Sequence, residues 1–231
     1  MSLVIGVLGG MGTYATINLF QQYAEVFPAK KEWERPRIII DNRCTMPSRV
    51  KAFLYNEEKD QLLDEMADSI EMLIKCGCNK ILLSCNTAHI FLPELCNRIP
   101  QLEKKLVNII DLCAEKLEED MINTVCLLGT EGTIESRVYD NLLNKKGINC
   151  ITPEKEEYRK IRDCIEAVKQ NIYTDDIKEK FLNLINKSSA CILGCTELPI
   201  LLEKYKNEII CKSIYDPINI ALRKIHDENL A

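Results

Sequence analysis

Short apolar runs alternate along the chain with longer segments in which apolar residues recur at helical spacing. The short runs predict buried strands at residues 3–8, 37–40, 80–83, 106–110, 124–128, 149–151, 191–193 and 209–214. The longer segments predict helices at residues 13–25, 58–76, 112–119, 134–145, 155–170, 175–186, 198–204 and 217–227. Strands separated by helices indicate right-handed βαβ units, and therefore an α/β fold with parallel sheets.

Two turn sequences occur twice in this pattern. VIGVLGGMGT at residues 4–13 resembles VCLLGTEGT at residues 125–133, and KILLSCNT at residues 80–87 resembles ACILGCTE at residues 190–197. The same order of turns in each half predicts two similar, pseudo-symmetric α/β domains that face each other across a cleft. We expect the first domain, with Cys85, to comprise residues 1–105 and 214–231, and the second, with Cys195, residues 106–213.

The repeated turns place Cys85 and Cys195 directly after buried strands and before predicted helices. Ligands of parallel α/β sheets bind at the carboxyl ends of the strands. A helix N-terminus offers free N–H groups and partial positive charge, which bind carboxylates and lower a thiol pKa from about 8.5 toward neutrality. We therefore expect two reactive thiols beside an anion site.

Two opposed thiols suit the inversion of a carbon centre. One base must remove the α-proton from one face while a conjugate acid delivers a proton to the other face, and two identical groups can exchange these roles. The alternative is that both cysteines are buried core residues, as free cysteines often are. The matched contexts, SCNT and GCTE, favour the catalytic interpretation.

Composition narrows the classes of function. The net charge is −5 and no block of Lys or Arg forms a basic stripe, so we expect no nucleic-acid partner. No apolar stretch approaches the roughly 20 residues of a membrane helix, and the N-terminus lacks the basic region of a signal peptide, so we expect a cytoplasmic protein without membrane contact. The 12 cysteines are expected to be reduced, and without a C-x-x-C motif we expect no metal site.

Motifs that resemble one known family run through nearly the whole chain. They are GGMGT at residues 9–13, MPSR at 46–49, SCNTAH at 84–89, GTEGTI at 129–134 with Ser136 and Tyr139, TP at 152–153, GCTE at 194–197 and DP at 216–217. The sequence resembles the aspartate/glutamate racemase family, and within it the aspartate racemases. The resemblance implies two Rossmann-like, three-layer αβα domains with an active-site cleft between them, no pyridoxal phosphate or other cofactor, and a homodimer. It also implies that Cys85 and Cys195 are the two catalytic cysteines.

The resemblance further implies a set of substrate-binding residues. Residues beside the cysteines and in the glycine turns would hold the α-carboxylate and α-amine: Met11, Asn86, Thr87, Thr130 and Thr196. Arg49 would bind the side-chain carboxylate. The family's second basic residue is a Lys, and the aligned position here is Arg159, with Lys160 one place away. Glu197 has three interpretations: it orients the substrate amine, orients the Cys195 thiol, or caps a helix. His89 is expected to lie behind the site, on the same helix face as Cys85.

Several functions stay open at this point. The favoured one is cofactor-independent racemisation of aspartate, with glutamate also accepted, and a glutamate or broad-specificity amino-acid racemase is the alternative. Because Arg and Lys are not equivalent at a carboxylate site, the substitution at residue 159 leaves substrate length open. Maleate isomerases, hydantoin racemases and arylmalonate-type decarboxylases share the superfamily, although a decarboxylase needs only one cysteine. A non-catalytic binding protein and a nucleotide-dependent enzyme are disfavoured, by the intact cysteine pair and by glycine spacing that misses the dinucleotide fingerprint, respectively.

Overall fold

The first half of the chain folds around a three-stranded parallel sheet. The computed structural model describes residues 2–230, so residues 1 and 231 of the predicted first domain lie outside the described part. The strands are β1 (Val4–Gly9), β2 (Arg37–Asn42) and β3 (Lys80–Leu83), in the order β2-β1-β3. Its α-helices are α1 (Thr13–Val26), α2 (Arg49–Tyr55), α3 (Lys59–Lys75) and α4 (Leu92–Arg98). A 3₁₀ helix, Thr87–Phe91, follows the Cys85 turn.

The second half repeats this plan around a four-stranded parallel sheet. Its strands are β4 (Thr124–Gly129), β5 (Asn149–Ile151), β6 (Ala190–Gly194) and β7 (Ser213–Tyr215), in the order β5-β4-β6-β7. Its helices are α5 (Ile109–Glu119), α6 (Glu131–Glu135), α7 (Val138–Lys145), α8 (Tyr158–Gln170), α9 (Asp175–Ile185), α10 (Leu198–Tyr205) and α11 (Pro217–Leu230). The predicted α/β class with parallel sheets in two halves is confirmed.

Apolar layers join the two halves. One buried cluster combines Ile5 and Leu82 of the first sheet with Val125, Leu127 and Ile192 of the second. Two further clusters lie within one half each, since one is built on α3 and α4 and the other on α8, α9 and α10. Central strands are therefore covered on both faces, which explains their continuous apolar sequence. The shared cluster holds the two sheets against each other without a linker.

Three predicted elements are wrong in type or extent. The expected strand at 106–110 is reduced to one bridge between Leu106 and Ile81, because Asn108 caps the start of α5 by accepting hydrogen bonds from the backbone N–H groups of the next turn. The single helix expected at 134–145 is divided into α6 and α7 at Arg137, which has a positive φ of 57°. The last strand begins at Ser213 rather than at residue 209.

The C-terminal segment connects both halves. β7 pairs with β6 of the second sheet, and α11 packs against both α1 and α5. Asp216 caps α11 as expected, since Oδ1 accepts from the N–H groups of Ile218 at 3.0 Å and Asn219 at 3.4 Å. The proposed division at residue 214 therefore passes through a paired strand, and the domain limits stay a prediction. Within residues 2–230, no helix has the length and apolarity needed to cross a bilayer.

Candidate active site

The ends of β3 and β6 meet at one small cavity between the two halves. Its volume is about 70 Å³. Its lining combines both cysteine turns with residues of the glycine turns and of α2 and α8: Met11, Ser48, Arg49, Val50, Cys85, Asn86, Thr87, Thr130, Ile165, Lys169, Gly194, Cys195, Thr196 and Glu197. The structure thus brings together every residue assigned to the site from the sequence except Arg159. We call this space the inner cavity.

The first glycine turn is shaped by close backbone approach. Gly10 has a positive φ of 79°, and a Cβ at this position would collide with the backbone of Arg43. A Cβ on Gly12 would collide with Oε1 of Glu197. The two glycines therefore allow the turn to carry Met11 to the inner cavity while the carboxylate of Glu197, from the other half, packs against it.

Cys195 lies in an acidic, fully buried environment. Its Sγ donates a hydrogen bond of 2.9 Å to Oε2 of Glu197, whose residue is only 2% exposed. Burial, and then the charge and hydrogen bond of Glu197, raise the pKa of Cys195 well above its ordinary value. Burial also raises the pKa of Glu197, against the opposing effects of Cys195, Lys169 and Arg49. The expectation that a helix N-terminus lowers the pKa of this thiol is wrong, because desolvation and a neighbouring carboxylate dominate.

The Cys85 turn is supported by a histidine instead. Cys85 is half-buried, and its backbone carbonyl lies 2.9 Å from Nδ1 of His89. Burial lowers the pKa of His89 from 6.5 to about 4, so the ring is neutral near pH 7. Since a carbonyl only accepts, Nδ1 carries the proton and donates it. Asn86 accepts a 2.5 Å hydrogen bond from the Tyr139 hydroxyl, while its Nδ2 has no partner among residues 2–230.

Hydroxyl groups tie each cysteine turn to the opposite half. Oγ1 of Thr87 lies 2.8 Å from Oγ1 of Thr130 and 2.9 Å from that of Thr133. Thr130 also caps α6 by accepting from the Thr133 N–H at 3.2 Å. On the other side, Thr196 Oγ1 donates to the Ser84 carbonyl at 3.3 Å. The relative position of the two cysteine turns is therefore fixed from both directions. Thr133, which completes the threonine cluster, was not identified from the sequence.

Two basic residues line the inner cavity, one from each half. Arg49, at the first position of α2, donates from Nη1 to the Pro47 carbonyl at 2.9 Å and from Nη2 to the Met11 carbonyl at 3.1 Å. Its Nε has no partner within the described chain. Lys169, in the last turn of α8, donates to Glu166 at 2.8 Å. Burial lowers its pKa, but the bond to Glu166 and the charges of Glu197 and Glu166 outweigh this, so the pKa of Lys169 is raised.

The assignment of Arg159 to the site is corrected by this geometry. Arg159 is exposed at the start of α8 and does not line the cavity, and Lys160 lies 3.9 Å from Glu157 on the surface. The face of α8 that reaches the cavity carries Ile165 and Lys169, which are four residues apart and hence neighbours. A basic residue at the edge of the apolar stripe of α8 is the sequence signal that identifies Lys169.

Comparison with known proteins decides the family. The sequence profile of the Asp/Glu/hydantoin racemases matches residues 8–225. The chain belongs to this family. Among its relatives is the broad-specificity amino-acid racemase RacX of Bacillus subtilis, which is 26% identical over 215 residues, covering 89% of this chain and 90% of that protein. Amino-acid racemisation, an isomerase activity, is the function that these matches support.

Solved structures of racemases share the whole fold. The aspartate racemase of Picrophilus torridus superposes with a TM-score of 0.81 at 25% identity, covering 97% of this chain and 94% of that one. An aspartate racemase homologue of Pyrococcus horikoshii gives 0.75 at 25% identity, with both chains fully covered. The glutamate racemase of Francisella tularensis, with D-glutamate bound, gives 0.69 at 17% identity and shows likeness of fold alone. Among residues 2–230, no group of three or more His, Cys, Asp or Glu side chains is placed to hold a metal ion.

Proposed function

We propose that this protein racemises an acidic amino acid, aspartate foremost, by a two-base mechanism that uses Cys85 and Cys195 and no pyridoxal phosphate. The observation that carries the proposal is the inner cavity itself. Matching turns from the two halves bring one thiol each to it, and Arg49 and Lys169 add one positive charge from each half. Two cations beside a carbon-acid site suit a substrate with two carboxylates.

The proton transfers balance between the two thiols. In one direction the Cys85 thiolate takes the α-proton, the S–H bond forms, and the electron pair of the broken C–H bond delocalises into the substrate carboxylate. The Cys195 thiol then donates its proton to the opposite face of the α-carbon, so that a C–H bond forms and the S–H bond breaks. The reverse reaction exchanges the roles. The thiol pair carries one proton before and after the reaction, and two between the transfers, while the substrate is the carbanion.

The resting position of that proton follows from the environment of the thiols. The raised pKa of Cys195 and its hydrogen bond to Glu197 keep the proton on Cys195. This leaves Cys85 for the role of the base in the first proton transfer of the proposed mechanism. Of the three interpretations of Glu197, the 2.9 Å contact supports the one in which it orients the Cys195 thiol. Asn86 and Arg49, which line the inner cavity, each keep a buried nitrogen donor without a partner in the described chain.

The choice of aspartate as the first candidate substrate rests on the similar proteins and on the charges of the cavity. Two of the similar solved structures are described as an aspartate racemase and an aspartate racemase homologue, whereas the Bacillus relative is described as broad in specificity. The paired cations favour a dicarboxylic acid, and a broad-specificity racemase is the second candidate. From the family resemblance we also propose a homodimer, and from the charge and hydropathy of the sequence a cytoplasmic protein that binds neither nucleic acid nor membranes.

The decisive experiment measures α-proton exchange and inversion together. L-aspartate and L-glutamate are incubated in D₂O with the dialysed wild type, Cys85→Ala, Cys195→Ala and, as a matched control, Cys76→Ala, which removes an exposed thiol remote from the cavity. We expect deuterium incorporation and inversion by the wild type and the control, and a loss of inversion of roughly 10²–10⁴-fold in either site variant. Hydroxylamine, which traps pyridoxal phosphate, should leave the wild-type rate unchanged.

Two results contradict the proposal. Inversion that survives the loss of either cysteine would exclude the two-thiol mechanism. An absence of exchange with both acids in the wild type would exclude acidic amino acids as substrates and favour the isomerase or binding alternatives.

A further inference from the structure

A second, larger cavity adjoins the inner cavity. Its volume is about 460 Å³, and we call it the outer chamber. Five residues line both spaces, and they form the neck between them: Ser48, Val50, Thr130, Ile165 and Lys169. Because the two spaces share this lining, only these five residues separate a ligand in the inner cavity from the outer chamber.

The walls of the outer chamber come from both halves of the chain. α2 contributes Leu54 and Tyr55 from the first half, and α8 contributes Tyr158 and Ile161 from the second. These residues supply an apolar surface. Side chains of this kind pack against the methylene groups of a ligand and do not select for a particular end group.

Charged residues lie among these apolar walls. The basic ones are Lys51, Arg162 and Lys169, and the acidic ones are Glu131 and Glu166. Glu131 pairs with Arg162, and Glu166 pairs with Lys169 at 2.8 Å. Lys51 pairs with Glu57, which lies outside the lining, at 3.0 Å. Each basic lining residue therefore has an acidic partner, which a ligand carboxylate would replace on binding.

The direction of the substrate follows from the position of the thiols. In a two-base mechanism the α-carbon lies between Cys85 and Cys195, and its proton points at one of them. The α-carboxylate and α-amine are then bound by the polar groups on the cysteine turns, such as Asn86 and Thr87. The remaining substituent, the side chain, is then directed at the neck, where Lys169 lies on the border of the two spaces.

We propose that the outer chamber receives the side chains of acidic amino acids longer than aspartate, so that the range of substrates extends past glutamate, already expected from the family, to α-aminoadipate. Their methylene groups pass Val50 and Ile165 at the neck. Their terminal carboxylate then binds Lys169 and Arg162 in exchange for the acidic partners of those residues. This inference rests on the proposed function and extends it to substrate length.

Filling the outer chamber without touching the inner cavity tests the inference. Leu54 lines only the outer chamber and is half-buried, so Leu54→Trp narrows that space alone, and Leu54→Ala is the matched control that leaves it open. The measurement is kcat/KM for L-aspartate, L-glutamate, L-α-aminoadipate and L-lysine. Lys51→Trp, at an exposed lining residue, is a second filling variant if thermal melting shows that Leu54→Trp is unfolded.

The expected pattern depends on chain length. For the wild type we expect kcat/KM for glutamate and α-aminoadipate within about tenfold of that for aspartate, and lysine well below all three. In Leu54→Trp, kcat/KM should fall roughly tenfold or more for α-aminoadipate and less for glutamate, because a single misplaced methylene costs about 10- to 200-fold in a tight pocket. Aspartate should change by no more than about twofold.

The outcomes separate this inference from the proposed function. Turnover of aspartate alone, an equal loss for all three acids in both filling variants, or turnover of lysine as fast as the acids overturns the outer-chamber inference and leaves the proposed function standing. No turnover of any amino acid by the wild type overturns both.

Discussion

The two cysteine turns occupy equivalent positions in the two halves but differ in what surrounds them. Cys195 is buried against the carboxyl group of Glu197, which accepts its S–H at 2.9 Å. Cys85 is half-buried, and behind it the neutral ring of His89 holds the backbone carbonyl rather than the thiol. The repeat has thus preserved the placement of two chemically identical groups, while each half has acquired its own supporting residue.

This difference bears on the two-base mechanism proposed above. In that mechanism the two thiols exchange roles during turnover, because the reaction is its own reverse. The hydrogen bond from Cys195 to Glu197 and the raised pKa of Cys195 favour the proton on Cys195. Without this preference, the repulsion between two nearby thiolates would make the pKa values a property of the pair rather than of either thiol. The two thiols therefore have equivalent roles in the proposed reaction but different surroundings at rest.

The basic residues offer the first way to test the comparison, since Arg49 comes from the half of Cys85 and Lys169 from the half of Cys195. Lys169→Met keeps the length of the side chain and removes its charge. We expect KM for L-aspartate to rise roughly 10- to 100-fold, because a charge-assisted hydrogen bond contributes about 1.5–3 kcal/mol. The measurement is steady-state racemisation in both directions, followed by chiral chromatography.

Arg159→Met and Lys160→Met are the controls for this prediction. Both residues are exposed at the start of α8, so KM should stay within about twofold of the wild type. A rise in KM with Arg159→Met instead of Lys169→Met would restore the assignment made from the sequence alone.

The amino-acid sequence predicted where the site residues lie better than it predicted their electrostatic environment. Cys85, Cys195 and Arg49 were identified because they sit in recognisable turns after strands, where chain direction alone brings side chains to the sheet edge. Lys169 was missed because its access to the cavity depends on the rotation of α8, which is set by packing against the second sheet. The pKa of Cys195 was misjudged because burial and the carboxylate of Glu197 both raise it, and Glu197 occupies a space that Gly12, from the other half of the chain, leaves open.

The same distinction holds for the fold. Long periodic segments, such as α3, were placed within a residue or two, since burial of one face determines them. The break between α6 and α7 depends on the left-handed conformation of one residue, Arg137. The sequence does not predict this conformation. The run at 106–110 is as apolar as a strand, yet the Asn108 cap starts a helix within it. Apolar content alone did not distinguish these two outcomes.

Glu197→Gln removes the charge that distinguishes the two turns and keeps the shape of the side chain. The carboxylate raises the pKa of Cys195, so its removal should lower that pKa, while the larger effect of burial remains. Alkylation of Cys195 by iodoacetamide should therefore begin at a lower pH than in the wild type. We expect kcat to fall about tenfold as well, because the resting proton is no longer held on one thiol.

Mass spectrometry of the peptides that contain each cysteine gives the internal control, since alkylation of Cys85 should keep its wild-type pH profile. Glu203→Gln, an exposed residue on α10, should change neither thiol. An unaltered profile at Cys195 in Glu197→Gln would mean that the hydrogen bond has no influence on this thiol, and that the two turns are electrostatically equivalent.

The smallest expected effect concerns His89, which supports the other turn and acts on stability. Burial lowers the pKa of His89 to about 4 in the folded protein, whereas an unfolded chain titrates it near 6.5. Between these values the unfolded state binds a proton that the folded state does not, so acid favours unfolding. Relative to His89→Asn, which keeps an N–H donor but does not titrate, the wild type should lose up to about 1.4 kcal/mol of unfolding free energy per pH unit from pH 6.5 down to 4. Urea unfolding at a series of pH values measures this difference. Parallel curves for the two proteins would show that His89 takes up its proton at the same pH in the folded and unfolded states, so that burial of the ring does not perturb its titration.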